Sequence, residues 1–130
     1  MTNALSDRPS QDRAAPVTLF IVDDHGLLRS VMSLAMRALS GIEVIGQAEN
    51  GRVAVDEVTK AQPDIVLMDI VMLLLDGLAA TRRICRQSPR ASVVVLIAAA
   101  QPELVLDVLR VGATGLVSKS AELAELERAI

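Results

Sequence analysis

Three aspartates carry the most chemically suggestive pattern in this chain of 130 residues. Asp23 and Asp24 follow the apolar run Val17-Thr18-Leu19-Phe20-Ile21-Val22, and Asp69 ends a second run, Asp64-Ile65-Val66-Leu67-Met68. A short apolar run bounded by polar residues reads as a strand buried on both faces, as in a parallel sheet between helices. Ligands of open α/β sheets bind in the crevice beyond the carboxyl ends of the strands. Two neighbouring strands of this kind deliver three carboxylates to one pocket, where they repel one another unless a cation joins them. An adjacent Asp pair alone is more often a helix cap in a solvated turn. Asp69 and Lys119, closing the third and fifth strand candidates, turn the pattern toward chemistry.

The elements that must position these residues alternate regularly. After Val22 the turn Asp23-Asp24-His25-Gly26 leads into a helix with Leu28, Val31, Met32, Ala35, Ala38 and Leu39 at helical spacing, and Arg29, Ser33 and Arg37 on the other face. Ser40-Gly41 stops it. Ile42 to Ala48 alternates around Val44 as a second strand, and Asn50 is placed to cap a helix that turns Val55, Val58 and Ala61 inward before Pro63. Beyond Asp69, a loop from Ile70 to Leu75 and the turn pair Asp76-Gly77 precede a third helix. Leu78, Thr81, Ile84 and Cys85 face in; Arg82, Arg83 and Arg86 face out. Ser92 to Ile97 is a β-branched fourth strand. Gln101-Pro102 opens a helix burying Leu104, Val105, Val108 and Leu109, and Gly115 to Ser118 forms a fifth strand ending at Lys119. Ser120 caps a last helix whose pattern still runs at Ile130, which reads as a truncation. Five strands alternating with five helices imply a parallel sheet with right-handed crossovers and helices on both faces.

Composition narrows the function classes. The length suits one domain with a real core, and no apolar run approaches the roughly eighteen residues that a membrane helix needs. Residues 1–16 read as a polar, disordered tail without the apolar segment of a secretory signal, and 17–130 as the domain. The single cysteine, Cys85, reads as a small core residue and agrees with a cytoplasmic setting. Net charge is −3 and aromatics make up 1% of the chain, so both the basic stripe and the stacking platform of a nucleic-acid binder are missing. No GxGxxG or GxxxxGK[ST] loop follows any strand candidate. His25 reads as a helix-start surface residue, and Leu73-Leu74-Leu75 as either core or a partner surface.

Val22-Asp23-Asp24-His25, Asp69, Asp76-Gly77-Leu78, Gly112-Ala113-Thr114-Gly115 and Lys119 together resemble the receiver domain of two-component response regulators, most closely the NarL/FixJ (LuxR-type) subfamily. The resemblance covers roughly Val17 to Ile130 and implies a flavodoxin-like (CheY-like) doubly wound five-stranded parallel sheet. It further implies that Asp69 accepts a phosphoryl group and that Lys119 pairs with the phosphoryl oxygens. Asp24, Asp69 and the backbone carbonyl of Val71 would bind magnesium, with Asp23 in support. The partners it implies are a sensor histidine kinase or a small phosphodonor, and a second copy in a homodimer. Catalysis would extend at most to the domain's own phosphorylation and dephosphorylation, upstream of a transcriptional output.

Three positions depart from that family's pattern. Ile97 stands where the fourth strand normally ends in Thr or Ser, Leu116 replaces an aromatic residue of the fifth strand, and Leu73 replaces a proline after the phosphoacceptor. These positions serve switching, while Asp23, Asp24, Asp69 and Lys119 are intact. The departures support an alternative reading: a pseudo-receiver that docks or dimerises without responding to phosphorylation. A flavodoxin-like binder of a small ligand is a third reading, resting on fold analogy alone.

Overall fold

The computed structural model describes residues 15–69, 74–97, 102–118, 128 and 130. In chain order these form β1 (Val17–Val22), α1 (Gly26–Arg37), β2 (Ile42–Ala48), α2 (Gly51–Ala61), β3 (Ile65–Asp69), α3 (Leu74–Gln87), β4 (Ser92–Ile97), α4 (Pro102–Arg110) and β5 (Gly115–Ser118). All strand pairs are parallel, in the order β2-β1-β3-β4-β5. The expected parallel sheet is therefore present, flavodoxin-like in its strand order, which reverses direction at β1. Val71, Leu73 and Lys119 lie outside the described residues, as do residues 1–14 of the expected tail and most of the expected last helix. Among the described residues no helix is long and apolar enough to cross a membrane.

Period-two alternation divides the central strands between two cores. Phe20, Val22, Val66, Met68, Val93, Val95 and Ile97 face α2, α3 and α4, packing with Val55, Val58, Ile84 and Val108. Leu19, Ile21, Ile65, Leu67 and Val94 face the other way, toward Met36 of α1, with Ile130 packed against the same cluster. The only aromatic side chain, Phe20, lies across Gly46 of the edge strand. A Cβ at that position would come within 2.5 Å of the ring, and the β1–β2 register shifts by one residue there. At the opposite end of the sheet from the aspartates, a clasp joins β1 to β3. The Asp64 carboxylate accepts from the Thr18 backbone N–H at 2.9 Å and hydroxyl at 3.0 Å, and the Asp64 N–H is 2.8 Å from that hydroxyl.

Several helix faces differ from expectation. On α1, Val31 and Ala38 point outward, whereas Ser33 and Met36 are buried. The helix carries apolar residues on nearly every side, so periodicity does not single out a face; small Ser33 lies against the protein, its hydroxyl 3.2 Å from Arg37 Nε. Regular helix ends at Arg37, two residues short of Leu39, whose N–H bonds to the Met36 carbonyl in a tighter closing turn. Ala61 of α2 and Leu109 of α4 are exposed, contrary to expectation. Asn50 caps α2 as expected, its Oδ1 accepting from Val53 N–H at 2.9 Å. The helix after Asp69 begins at Leu74, so Asp76-Gly77 is helical backbone, not a turn. Two leucines in succession favour helix strongly enough to carry it through the glycine.

Thr81 of α3 is fully buried, and its hydroxyl has no hydrogen-bond partner among the described residues. Burying an unsatisfied hydroxyl costs about 1–3 kcal/mol, and valine has the same branched shape. Thr81→Val is expected to raise the urea midpoint by about 1 kcal/mol of stability with the slope unchanged. A lower midpoint would show that the hydroxyl is satisfied in solution.

Candidate functional site

The β1–β3 register places the acidic residues side by side. Val22 pairs with Met68, so Asp23 and Asp69 each stand one step further along adjacent strands. Both side chains are fully buried. Asp23 has the parity of Leu19 and Ile21, and Asp69 that of Ile65 and Leu67, which turns both toward the α1 side of the sheet. Asp24 lies on the turn, its side chain 30% exposed. Ligand atoms of Asp23, Asp24, His25 and Asp69 all lie within 4.8 Å of one another. The structure thus assembles the three carboxylates expected from the sequence.

His25 enters this group as well. It is the N-cap residue of α1, with extended backbone and no side-chain cap bond. Its Nδ1 is 3.2 Å from Asp24 Oδ1 and 3.7 Å from Asp23 Oδ1, with the imidazole 53% exposed. The surface helix-start position is as expected; the approach to both carboxylates is not apparent from adjacency alone. Asp23 is held firmly: its N–H donates to the Ala48 carbonyl at 3.1 Å, and its Oδ1 accepts from the His25 backbone N–H at 2.8 Å.

The donor set fits magnesium. Three carboxylates supply hard oxygens in one crevice, Asp24 leaves it open to solvent for the waters that magnesium retains, and like charges this close favour occupation by a cation. The imidazole is a softer donor that magnesium does not require.

Sequence reading overlooked Arg29. Assigned to the solvent face, it is half-buried, with Nη1 2.6 Å from the Asp23 carbonyl oxygen and Nε 3.3 Å from Gln47 Oε1. The available signal was a cation in the first turn of a helix, where the dipole favours anions.

Ile97 ends β4 and is buried, in register with Ser118 of β5. Leu116 is half-buried against the same core, diagonal to Ile97 on one face of the sheet. Cys85 is also half-buried, its Sγ 3.3 Å from the Gly112 carbonyl oxygen. Burial pushes its thiol up from the ordinary value, which suits a packing residue rather than a nucleophile. Arg82, Arg83, Arg86 and Arg90 are exposed, as expected of a solvated face.

A family model described as the response regulator receiver domain matches residues 19–130. The response regulator GacA of Pseudomonas viridiflava is 34% identical over 114 residues, which cover 88% of this chain and 53% of that protein. The transcriptional regulatory protein LiaR of Bacillus subtilis is 33% identical over 114 residues, 88% of this chain and 54% of that one. The chain spans about half the length of these curated relatives. Among solved structures, a LuxR-family two-component response regulator from Aurantimonas sp. SI85-9A1 aligns with a TM-score of 0.81 and 28% identity, over 88% of this chain and 81% of that one. A CheX–CheY complex with BeF3 and magnesium from Borrelia burgdorferi aligns with a TM-score of 0.81 and 27% identity, over 91% and 89%.

Proposed function

The chain belongs to the response regulator receiver domain family of two-component systems, and from that premise we propose that it accepts a phosphoryl group on Asp69 from a sensor histidine kinase or a small phosphodonor. The observation that carries this reading is the convergence of Asp23, Asp24 and Asp69 within 4.8 Å at the carboxyl ends of β1 and β3. Asp24, Asp69 and the backbone carbonyl of Val71 would hold magnesium, with Asp23 in support. When bound, the ion offsets the negative charge of the phosphoryl oxygens.

The chain's own part is positioning. A carboxylate oxygen of Asp69 attacks phosphorus in line; the bond from phosphorus to the donor's leaving atom breaks, and an aspartyl phosphate forms. The Lys119 ammonium pairs with a phosphoryl oxygen as a point charge. The rigid end of β3 holds Asp69 still for this attack, and its full burial limits water around it. A cytoplasmic location, a homodimer and a transcriptional output of the kind LiaR's name carries belong to the same proposal.

Buried Ile97 beside Leu116 favours a second reading, in which the domain docks or dimerises without a phosphorylation response. Mass spectrometry after incubation with a small acyl phosphate and magnesium tests the first. A phosphoryl adduct is expected in the wild type and not in Asp69→Ala. A wild type that stays unmodified overturns phosphoacceptance and leaves the docking reading.

A further inference from the structure

The first turn of α1 breaks a local rule beside the site. Helix N-termini favour acidic side chains and disfavour cations, yet this turn carries no acid, and Arg29 is the fourth residue of the helix. Departures of this kind collect at functional positions. The guanidinium reaches back along the helix start, Nη1 donating to the Asp23 carbonyl oxygen at 2.6 Å while Nε donates to Gln47 Oε1 on β2 at 3.3 Å. That carbonyl belongs to the peptide joining Asp23 to Asp24, so its orientation governs where both carboxylates point. Gln47 braces the arginine from the neighbouring strand, and the rigid planar guanidinium is pre-organised to meet both acceptors in a way that a flexible ammonium is not.

We propose that Arg29 is a positioning residue for the chemistry at Asp69: it locks the Asp23–Asp24 peptide and so holds both carboxylates in the orientation that magnesium needs. This inference rests on the phosphoacceptor reading. It assigns to Arg29 and Gln47 the orienting role that partners behind a metal's direct ligands commonly play, whose loss weakens metal binding roughly 10–100-fold.

Magnesium titration followed by amide NMR shifts of Asp23, Asp24 and Asp69 tests it, with the metal-free melting temperature measured for each variant. Arg29→Met, which keeps the apolar stem, is expected to bind magnesium roughly tenfold more weakly than the wild type. Arg29→Lys should fall between the two. Gln47→Ala, at an exposed position that does not threaten folding, should weaken binding roughly twofold. A merely structural arginine would lower the melting temperature and leave magnesium affinity alone, so a folded Arg29→Met with wild-type affinity overturns the proposal. If Arg29→Met does not fold, wild-type affinity in Gln47→Ala overturns it instead. A wild type that neither binds magnesium nor is phosphorylated is a different result, and overturns the functional reading on which the proposal stands.

Discussion

Asp23→Asn is expected to melt at a higher temperature than the wild type in metal-free buffer, and to gain less from added magnesium. The wild-type carboxylate is fully buried with the Asp24 and Asp69 carboxylates inside the same 4.8 Å cluster. Two like charges about 5 Å apart repel by about 3 kcal/mol at an effective dielectric near 20, and relaxation reduces what is recovered. Asparagine removes the charge and keeps the side-chain oxygen that accepts the His25 N–H. A net gain of about 1 kcal/mol would raise the melting temperature by about 4 °C. Magnesium stabilises the wild type by mass action, about 2.7 kcal/mol at a hundred times its dissociation constant; that increment should shrink when a supporting carboxylate is lost. Scanning calorimetry with and without magnesium measures both effects. A metal-free Asp23→Asn that melts below the wild type would show that the buried charge is already compensated.

Ile97→Thr is expected to restore a conformational response to phosphorylation that the wild type largely lacks. A ligand shifts a two-state equilibrium only by its differential interaction with the two states, and Ile97 has no hydroxyl to offer a phosphoryl oxygen. A hydrogen bond to a charged group contributes about 1.5–3 kcal/mol, against about 5.5 kcal/mol needed to swing an equilibrium from 1:99 to 99:1. The missing bond is a large share of the bias. Packing acts in the same direction. Buried Ile97 and half-buried Leu116 share one face of the sheet, and a close-packed interior leaves few alternative arrangements. Ile97→Thr combined with Leu116→Tyr should therefore respond more than Ile97→Thr alone. The measurement is the amide NMR shift change in α4 and β5 on adding a phosphoryl mimic and magnesium. Wild-type changes as large as those of the variants would refute the decoupling.

The inner strands β1, β3 and β4 were legible because a parallel sheet buried on both faces leaves uninterrupted apolar runs, while the edge strand β2 showed as alternation around Val44. Asp23, Asp24 and Asp69 were legible for a related reason: a carboxylate directly after such a run has one place to go. Helix faces were harder to read. In α1, leucines, valine, methionines and alanines surround the axis, so Met36 and Ser33 could be told from Val31 and Ala38 only by the shape of the sheet beneath. Leu74 and Leu75 followed helix propensity, where the Asp76-Gly77 pair suggested a turn. Arg29 escaped notice because its role depends on a carbonyl and on Gln47, and neither acceptor can be recognised from residue type.

The clasp between Thr18 and Asp64 gives the acidic pocket a history as well as a geometry. Joining residues 46 apart closes a long loop, at roughly 3 kcal/mol of chain entropy, and the bonds at that one point offset part of it. From that point the β1–β3 ladder runs in parallel register to Val22 and Met68, and one step further Asp69 stands level with Asp23. On a chain emerging from the ribosome, Asp23 and Asp24 are ordinary solvated side chains until β3 has followed them out. The pocket then gains its third carboxylate in the same event that completes the middle of the sheet, so the acidic cluster is born with the fold rather than added to it.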